Sequence, residues 1–413
     1  MRIAIVGSGI SGLVSALLLS REHEVTVYES EDYIGGHTHT IPLPDDGVAV
    51  DTGFIVFNHE NYPNFVKLLE QLDVAAKPSS MSFSVMNRRS GLEYGFATMN
   101  ALFAQRQNAL RPAFWRMLME IRKFRKEFDV LCKEAREDQA VGDYLREKGY
   151  SKAFVEDFLI PFGAAIWSAA PDQMNRFPLK TFVQFFMNHG FLDTSKLLQW
   201  FVVDGGSSQY VTALLRKFRG TIQTRTPVQS IQRADDHILL TAAGESPQRF
   251  DHVVLACHSD QALALLADPT PLEQEILGAL PYQMNEVVLH TDIQEMPKHR
   301  QVWSSWNYCV PENPSDRVTV TYDMNILQGL QTDEEYLVTL NPVREIDPDC
   351  VRGSYQYAHP VFTPEGVAAQ RRYREIGGMA TRTHYAGAYW GYGFHEDGVK
   401  SALRVCDDFK VYL

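Results

Sequence analysis

The chain has 413 residues, enough for one large or two medium domains around a substantial core. Apolar residues make up 45% and charged ones 22%, as in a soluble globular protein, and no run approaches the ~20 uninterrupted apolar residues of a membrane span. A net charge of −12 argues against a nucleic-acid partner, and five scattered cysteines (Cys132, Cys257, Cys309, Cys350, Cys406) with no Cys-x-x-Cys suit a reducing, cytoplasmic compartment and no metal site.

Arg2–Val6 (RIAIV) reads as a strand buried on both faces. Gly7-Ser8-Gly9-Ile10-Ser11-Gly12 follows, then the small and apolar helix Leu13–Ser20 and a second strand, Glu24–Tyr28. Glu29 closes that strand 17 residues after Gly12. A G-x-G-x-x-G between strand and helix, with an acid at the end of the next strand, points to dinucleotide binding. Gly7 permits the tight turn, Gly9 lets backbone approach a pyrophosphate, and Gly12 lets helix and strand pack closely. The helix N-terminus offers free N–H groups to phosphate, and Glu29 can accept from a ribose hydroxyl. The alternative is a glycine-rich turn beside an ordinary surface Glu. Because this pattern starts at residue 2, no cleaved leader is expected. Gly35-Gly36 would bring backbone to the cofactor again, and Val48–Asp51 and Phe54–Phe57 read as strands around Asp51-Thr52-Gly53.

Pro63–Leu72 reads as a helix, and Ala109–Arg136 as a long one, with Met117, Ile121, Phe124, Phe128 and Leu131 on one stripe. Residues 105–126 hold Arg106, Arg111, Arg116, Arg122, Lys123, Arg125 and Lys126 against Glu120 alone, which is either a solvated face or a peripheral contact for anionic headgroups at the inner membrane face. Asp138–Lys148, Ser151–Leu159 and Leu179–Asn188 continue as helices in a mainly helical, aromatic middle region that suits a cap over an apolar substrate. Phe201–Val203, Val228–Ile231, Ile238–Thr241 and His252–Ala256 read as strands, with Ser207–Phe218 a helix. Val287–Thr291, Val302–Trp306, Val318–Tyr322, Val338–Leu340 and Gly353–Ala358 read as a second sheet, and Gly366–Arg374 as a helix.

Gly7–Gly12, Glu29, Gly35-Gly36 and Asp51-Thr52-Gly53 together resemble the flavoprotein superfamily of amine oxidases, phytoene desaturases and protoporphyrinogen oxidases. Phe201–Leu215 resembles its second glycine-pair motif, and His384–Ser401 its C-terminal flavin motif. The segments DTGFIVFN, GYGFHEDG and HPVF resemble a subgroup related to the N-terminal oxidoreductase domain of plant cyclopropane fatty acid synthases. The resemblance implies an α/β fold, a Rossmann-like FAD-binding domain with an interleaved α+β substrate domain. The expected division is 1–56, 201–266 and 371–413 for FAD, with 57–200 and 267–370 for substrate. It implies further cofactor contacts from Ser11, Ser30, His37, Thr38, Asp51, Thr52, Gly53, Val228, Gly387, Gly393, Phe394, Glu396 and Asp397. Asp397 can cap the last helix instead. His37 stands where amine oxidases carry Arg, which weakens a transfer of amine chemistry. The C-terminal motif has no Cys to tether a flavin, so FAD is expected to be non-covalent.

A flavin brings hydride and electron chemistry, and the protein places a substrate C–H or C–N bond against it. No second G-x-G-x-x-G follows a strand, so no dedicated NAD(P)H domain is expected, and electrons leave to dioxygen, a quinone or a protein. His359 is the candidate base, with His395 next and Tyr389 in the aromatic run beside the flavin; the other eleven histidines have no motif context. The expected activity is an FAD-dependent oxidase, desaturase or dehydrogenase acting on an apolar substrate such as an unsaturated or modified fatty acyl lipid. Amine oxidation, a flavin-dependent mutase, and a non-catalytic flavin-bound partner of a lipid methyltransferase are the alternatives.

Overall fold

In the computed structural model, residues 1–191, 198–313 and 317–413 are described. Residues 192–197 and 314–316, within the expected substrate stretches, lie outside them. Five parallel strands form the first sheet, in the order Thr221–Gln223, Glu24–Tyr28, Arg2–Val6, His252–Leu255 and Thr383–Tyr385. Side chains alternate across a strand, and both faces of this sheet are covered. Ile3 and Ile5 meet Leu13, Val14, Val399 and Ala402 of helices Ile10–Leu19 and His395–Asp408. Ala4 and Val6 meet Ile231, Leu240 and Phe250 on the other side. Those three residues come from an antiparallel sheet of Val228–Arg233, Ile238–Ala242 and Gln248–Phe250, which stands apart from the parallel one. Trp200–Val203 pairs with Val56–Phe57 and Ala76–Ser79.

A seven-stranded sheet runs Val351–Pro360, Tyr282–His290, Leu337–Leu340, Thr319–Asp323, Trp306–Val310, Phe83–Asn87, Leu92–Gly95. The last two strands lie ahead of the mainly helical middle region, in a stretch where the sequence pattern names no element: a five-residue run pairs in parallel with Trp306–Val310, more than two hundred residues later. The expected strand Val302–Trp306 is corrected. Arg300–Val302 is a 3₁₀ turn, the Ser304 N–H donates to Asn307 Oδ1 at 3.0 Å, and the strand starts at Trp306. Side-chain bonding of this kind competes with the ladder.

Helices cover this sheet. The long helix spans Pro112–Glu134, shorter than expected at its start, because Pro112 takes the first helical position and holds Arg111 extended. Lys152–Trp167 is one helical rod with a π-turn at Val155–Leu159. Pro161 has no N–H to give the Asp157 carbonyl, and the Tyr94 hydroxyl donates to that carbonyl instead. Among the described residues no helix is long and apolar enough to cross a membrane.

Candidate active site

The loops that leave the parallel strands converge. Gly7 follows Val6, Glu29 follows Tyr28, Ala256 and Cys257 follow Leu255, and Gly387 lies just past Tyr385. All of them line one cavity of about 1170 Å³. Open α/β sheets bind ligands outside the carboxyl ends of their strands. The volume exceeds the ~300–1,000 Å³ of an ordinary small-molecule cleft, so a dinucleotide and a substrate have room together.

Gly7 sits at φ +101°, and a Cβ on Gly12 would lie 2.0 Å from the Gly7 carbonyl oxygen. The first helical turn therefore packs directly on the loop. A Cβ on Gly9 would meet no atom within 4 Å, so that position faces open cavity, while one on Gly36 would stand 3.1 Å from Gly9 Cα. The two glycine loops touch and leave a trough of bare backbone.

Glu29 is buried at the wall of this trough. Its Oε2 accepts from Ser8 N at 2.8 Å and Ser8 Oγ at 2.6 Å; its Oε1 accepts from Glu31 N at 2.9 Å and Ser30 Oγ at 3.2 Å. Two of these four partners are hydroxyls that can rotate away for a ribose. His37 Nε2 is buried with no partner among the described residues, and the Tyr28 hydroxyl is in the same condition. A buried polar atom left unpaired is costly, and a polar ligand would satisfy both. The trough, the acid and the two unpartnered atoms fit a dinucleotide.

Aromatic rings make up much of the rest of the cavity, with Ser79, Ser80, Ser82, Ser168, Gln199 and Gln261 among them. Phe83, Trp306 and Tyr322 are cross-strand neighbours in the seven-stranded sheet, and all three line it. Phe162 and Trp167 of the π-turn rod face them, with Phe185, Phe191, Tyr392 and Phe394 around. Among the described lining residues Glu29 is the one carboxylic acid, with no Asp, Lys or Arg. Burial holds the five lining histidines neutral: His37 well below the usual range, His258 lowered, His189 and His359 down to about 4, His395 to about 3. Burial also pushes the Cys257 thiol up to about 12 and the Tyr389 hydroxyl well above its ordinary value, so both stay protonated.

Hydrogen bonds set the histidine tautomers. Asn341 is oriented by backbone, because its Oδ1 accepts from Glu286 N at 3.0 Å and its Nδ2 donates to Val318 O at 2.9 Å. The same Nδ2 donates to Asn285 Oδ1 at 2.8 Å, which turns Asn285 Nδ2 towards His359 Nδ1 at 2.8 Å. His359 Nδ1 is therefore an acceptor, and its proton sits on Nε2. As held, His359 is a donor and not the expected base. His189 has the opposite arrangement. Its Nδ1 meets Phe185 O at 3.0 Å, a carbonyl can only accept, and Nε2 keeps the lone pair. No motif marks His189 in the sequence.

Of the residues expected at the cofactor, Gly7, Gly9, Ser11, Glu29, Ser30, Gly35, Gly36, His37, Thr52, Gly53, Val228, Gly387, Gly393 and Phe394 line the cavity, as do His359, His395 and Tyr389. His395 stacks on Phe54 at 3.6 Å and bonds Tyr210 through Nε2 at 2.8 Å. Thr38, Asp51, Glu396 and Asp397 are not in the lining, and Gly12 acts through packing. The Thr38 hydroxyl meets Tyr210 and His395 behind the wall. Asp51 accepts from Thr40, from the backbone and side chain of Ser207, and from Gln328, and so ties three segments together. Glu396 accepts from Asn64 and Phe65, at the start of helix Pro63–Leu72. Asp397 accepts from Tyr392 N and Phe394 N as the cap of its own helix, and burial raises it to about 6. The two acids lie near the cavity because they brace the elements that form it.

Comparison with known proteins agrees with this geometry. Residues 10–292 match the family described as flavin containing amine oxidoreductase, whose members are flavin-dependent oxidoreductases. The flavin-dependent L-tryptophan oxidase RebO of Lentzea aerocolonigenes is 28% identical over 287 residues, 61% of this chain and 57% of that protein. The zeta-carotene desaturase of Synechocystis sp. is 33% identical over 104 residues, 24% of this chain and 21% of that protein. The chain thus spans little more than half the length of the first relative and about a fifth of the second. Wild-type putrescine oxidase bound to putrescine shares the fold, with a TM-score of 0.72 over 99% of both chains at 14% identity. Loop, acid, cavity and family match agree: this chain belongs to the flavin containing amine oxidoreductases, and its cofactor is FAD.

Proposed function

We propose that the protein is an FAD-dependent oxidoreductase that oxidises a C–H bond of an uncharged, apolar substrate, with an unsaturated or modified fatty acyl chain as the class that fits. FAD is held without a covalent link by the residue 1–56, 201–266 and 371–413 stretches, and the 57–200 and 267–370 stretches hold the substrate. The observation that carries this reading is the lining. Beyond Glu29 its described residues offer aromatic and aliphatic side chains, neutral histidines and uncharged Ser, Thr and Gln, with no cation for a carboxylate and no second anion for an ammonium group. An amino acid would leave its carboxylate buried without a countercharge, a cost of several kcal/mol. An acyl chain gains ~0.8 kcal/mol per buried methylene.

FAD supplies the two-electron acceptor. The chain's own residues do the rest. The rings exclude water and orient the chain. His189 Nε2, neutral at physiological pH, takes the proton released from the carbon next to the one oxidised. His359 offers its Nε2–H as a fixed donor. Oxidation of a neutral amine between the aromatic walls is the second reading, favoured by the rings of Tyr392 and Phe394, whose centroids lie 5.3 and 5.1 Å from that of Phe185.

Anaerobic titration of the yellow protein with acyl lipids, carotenoids, amines and amino acids decides between them. Stoichiometric bleaching of the flavin absorbance by an acyl lipid is expected. Bleaching by a small amine or amino acid and by no acyl lipid would replace the reading with amine oxidation. No bleaching, with a lipid methyltransferase copurifying, would leave a flavin-bound partner protein.

A further inference from the structure

The cavity wall reaches the surface at Phe96 and Ala97, both exposed and both lining. From there a chain of ring contacts runs beneath the surface through buried Tyr94 and Phe114 and comes out again at Trp115: Phe96 to Tyr94 at 5.4 Å, Tyr94 to Phe114 at 5.5 Å, Phe114 to Phe103 at 5.8 Å, Phe103 to Trp115 at 5.6 Å. It ends on an apolar surface. Leu110, Met99 and Met119 are 86, 69 and 63% exposed, and Trp115 stands beside them. Five of the twelve exposed large apolar side chains among the described residues fall between 96 and 119, so this is a patch and not the ordinary scatter.

Helix Pro112–Glu134 explains the patch. It buries Phe114, Met117, Phe124, Phe128 and Leu131, and turns Trp115, Met119, Arg122 and Lys126 outward at spacings of four, three and four. Trp115 Nε1 donates to Ala109 O at 2.8 Å, which holds the indole against the turn that carries Leu110. Residues 96–126 carry seven basic side chains and one acid, in a chain of net charge −12.

We propose that this face docks on an anionic phospholipid surface, with Leu110, Trp115 and Met119 entering the interface and Arg122 and Lys126 meeting headgroups. Apolar anchors among basic side chains are the composition that a negatively charged bilayer binds, and an aromatic with a polar edge suits its boundary. Docked in this way, the mouth at Phe96 opens towards the acyl phase, so an apolar substrate need not cross water. The purpose of the docking rests on the acyl-chain reading; the docking itself does not.

The test is sedimentation of the FAD-loaded full chain with sucrose-filled vesicles of phosphatidylcholine alone or mixed with phosphatidylglycerol. Binding to the anionic vesicles at low salt and its loss at high salt are expected. The R122E/K126E variant should bind them at least about thirtyfold more weakly, from ~1 kcal/mol for each cation lost. The L110S/W115S/M119S variant should lose binding at every salt concentration, with flavin absorbance and circular dichroism unchanged. Equal and negligible binding of the natural chain to both vesicles would overturn the proposal. So would a natural chain that ignores vesicles and is dimeric, with the triple variant monomeric, since the face would then join two copies. Vesicle binding without bleaching by acyl lipids would keep the docking and remove the substrate. Bleaching in detergent without vesicle binding would do the reverse.

Discussion

Gly9 separates cofactor loss from misfolding. A Cβ there meets no protein atom within 4 Å, whereas one on Gly12 strikes the Gly7 carbonyl at 2.0 Å. Gly9→Val should therefore fold and fill the space assigned to the pyrophosphate. Its purified form should be colourless with unchanged circular dichroism; a yellow variant would be evidence against that assignment. His189 makes a kinetic prediction. Burial holds it at about 4, down from 6.5, and a base works only when deprotonated. The rate of flavin reduction should stay level as pH falls through 6.5 and decline only near pH 4. His189→Gln should slow reduction by roughly 10²–10⁴-fold with FAD still bound. A decline centred on 6.5, or a variant as fast as the natural chain, would exclude His189. Sequence context offered His359 for this role, and the Asn341–Asn285 pair gives that ring the other tautomer.

Helix Pro112–Glu134 has two faces that do different things. Phe124 is fully buried among Phe128, Tyr150, Phe154 and Phe182. Trp115, nine residues earlier, is exposed. Phe124→Ala should cost ~3–5 kcal/mol in urea unfolding, and Trp115→Ser about 1 kcal/mol or less, because the first empties a closed core site and the second gives up one indole hydrogen bond at an exposed position. Similar losses from both would mean that the outer face is covered. The π-turn at Val155–Leu159 lies in the same rod as Phe162 and Trp167, which line the cavity. Its cause lies in one residue, Pro161, and its remedy in another element, through the Tyr94 hydroxyl.

Over the whole molecule, the cavity is lined from nearly every part of the chain, from Val6 to His395, so a ligand that fills it links segments that meet nowhere else in sequence. FAD binds the folded state and not the unfolded chain. At a hundredfold excess over its dissociation constant it should add ~2.7 kcal/mol of stability. Thermal melting with and without added FAD checks this: the protein stripped of flavin should melt several degrees lower, and an unchanged midpoint would mean that the cavity takes no flavin. Asp51 strengthens the same linkage from behind, joining Thr40, Ser207 and Gln328 without touching the cavity.

Local features were legible in the sequence. Arg2–Val6, Glu24–Tyr28, Pro63–Leu72 and Leu179–Asn188 have the bounds that periodicity predicts, because apolar spacing and caps act within a few residues. The glycine loop and Glu29 were legible for the same reason: the phosphate-binding turn is short, and its backbone demands are written in adjacent residues. Other features depended on pairings no local pattern contains. Phe83–Asn87 is a strand because Trp306–Val310 lies beside it, and Val302–Ser305 is not, because Asn307 takes its hydrogen bonds. Glu396 and Asp397 sit in the expected motif, yet partners at Asn64, Phe65, Tyr392 and Phe394 turn them from the cavity. The tautomer of His359 was decided farthest away. Asn285 and Asn341 are 74 and 18 residues from His359 in sequence, and only the packed sheet brings the three into one hydrogen-bonded line.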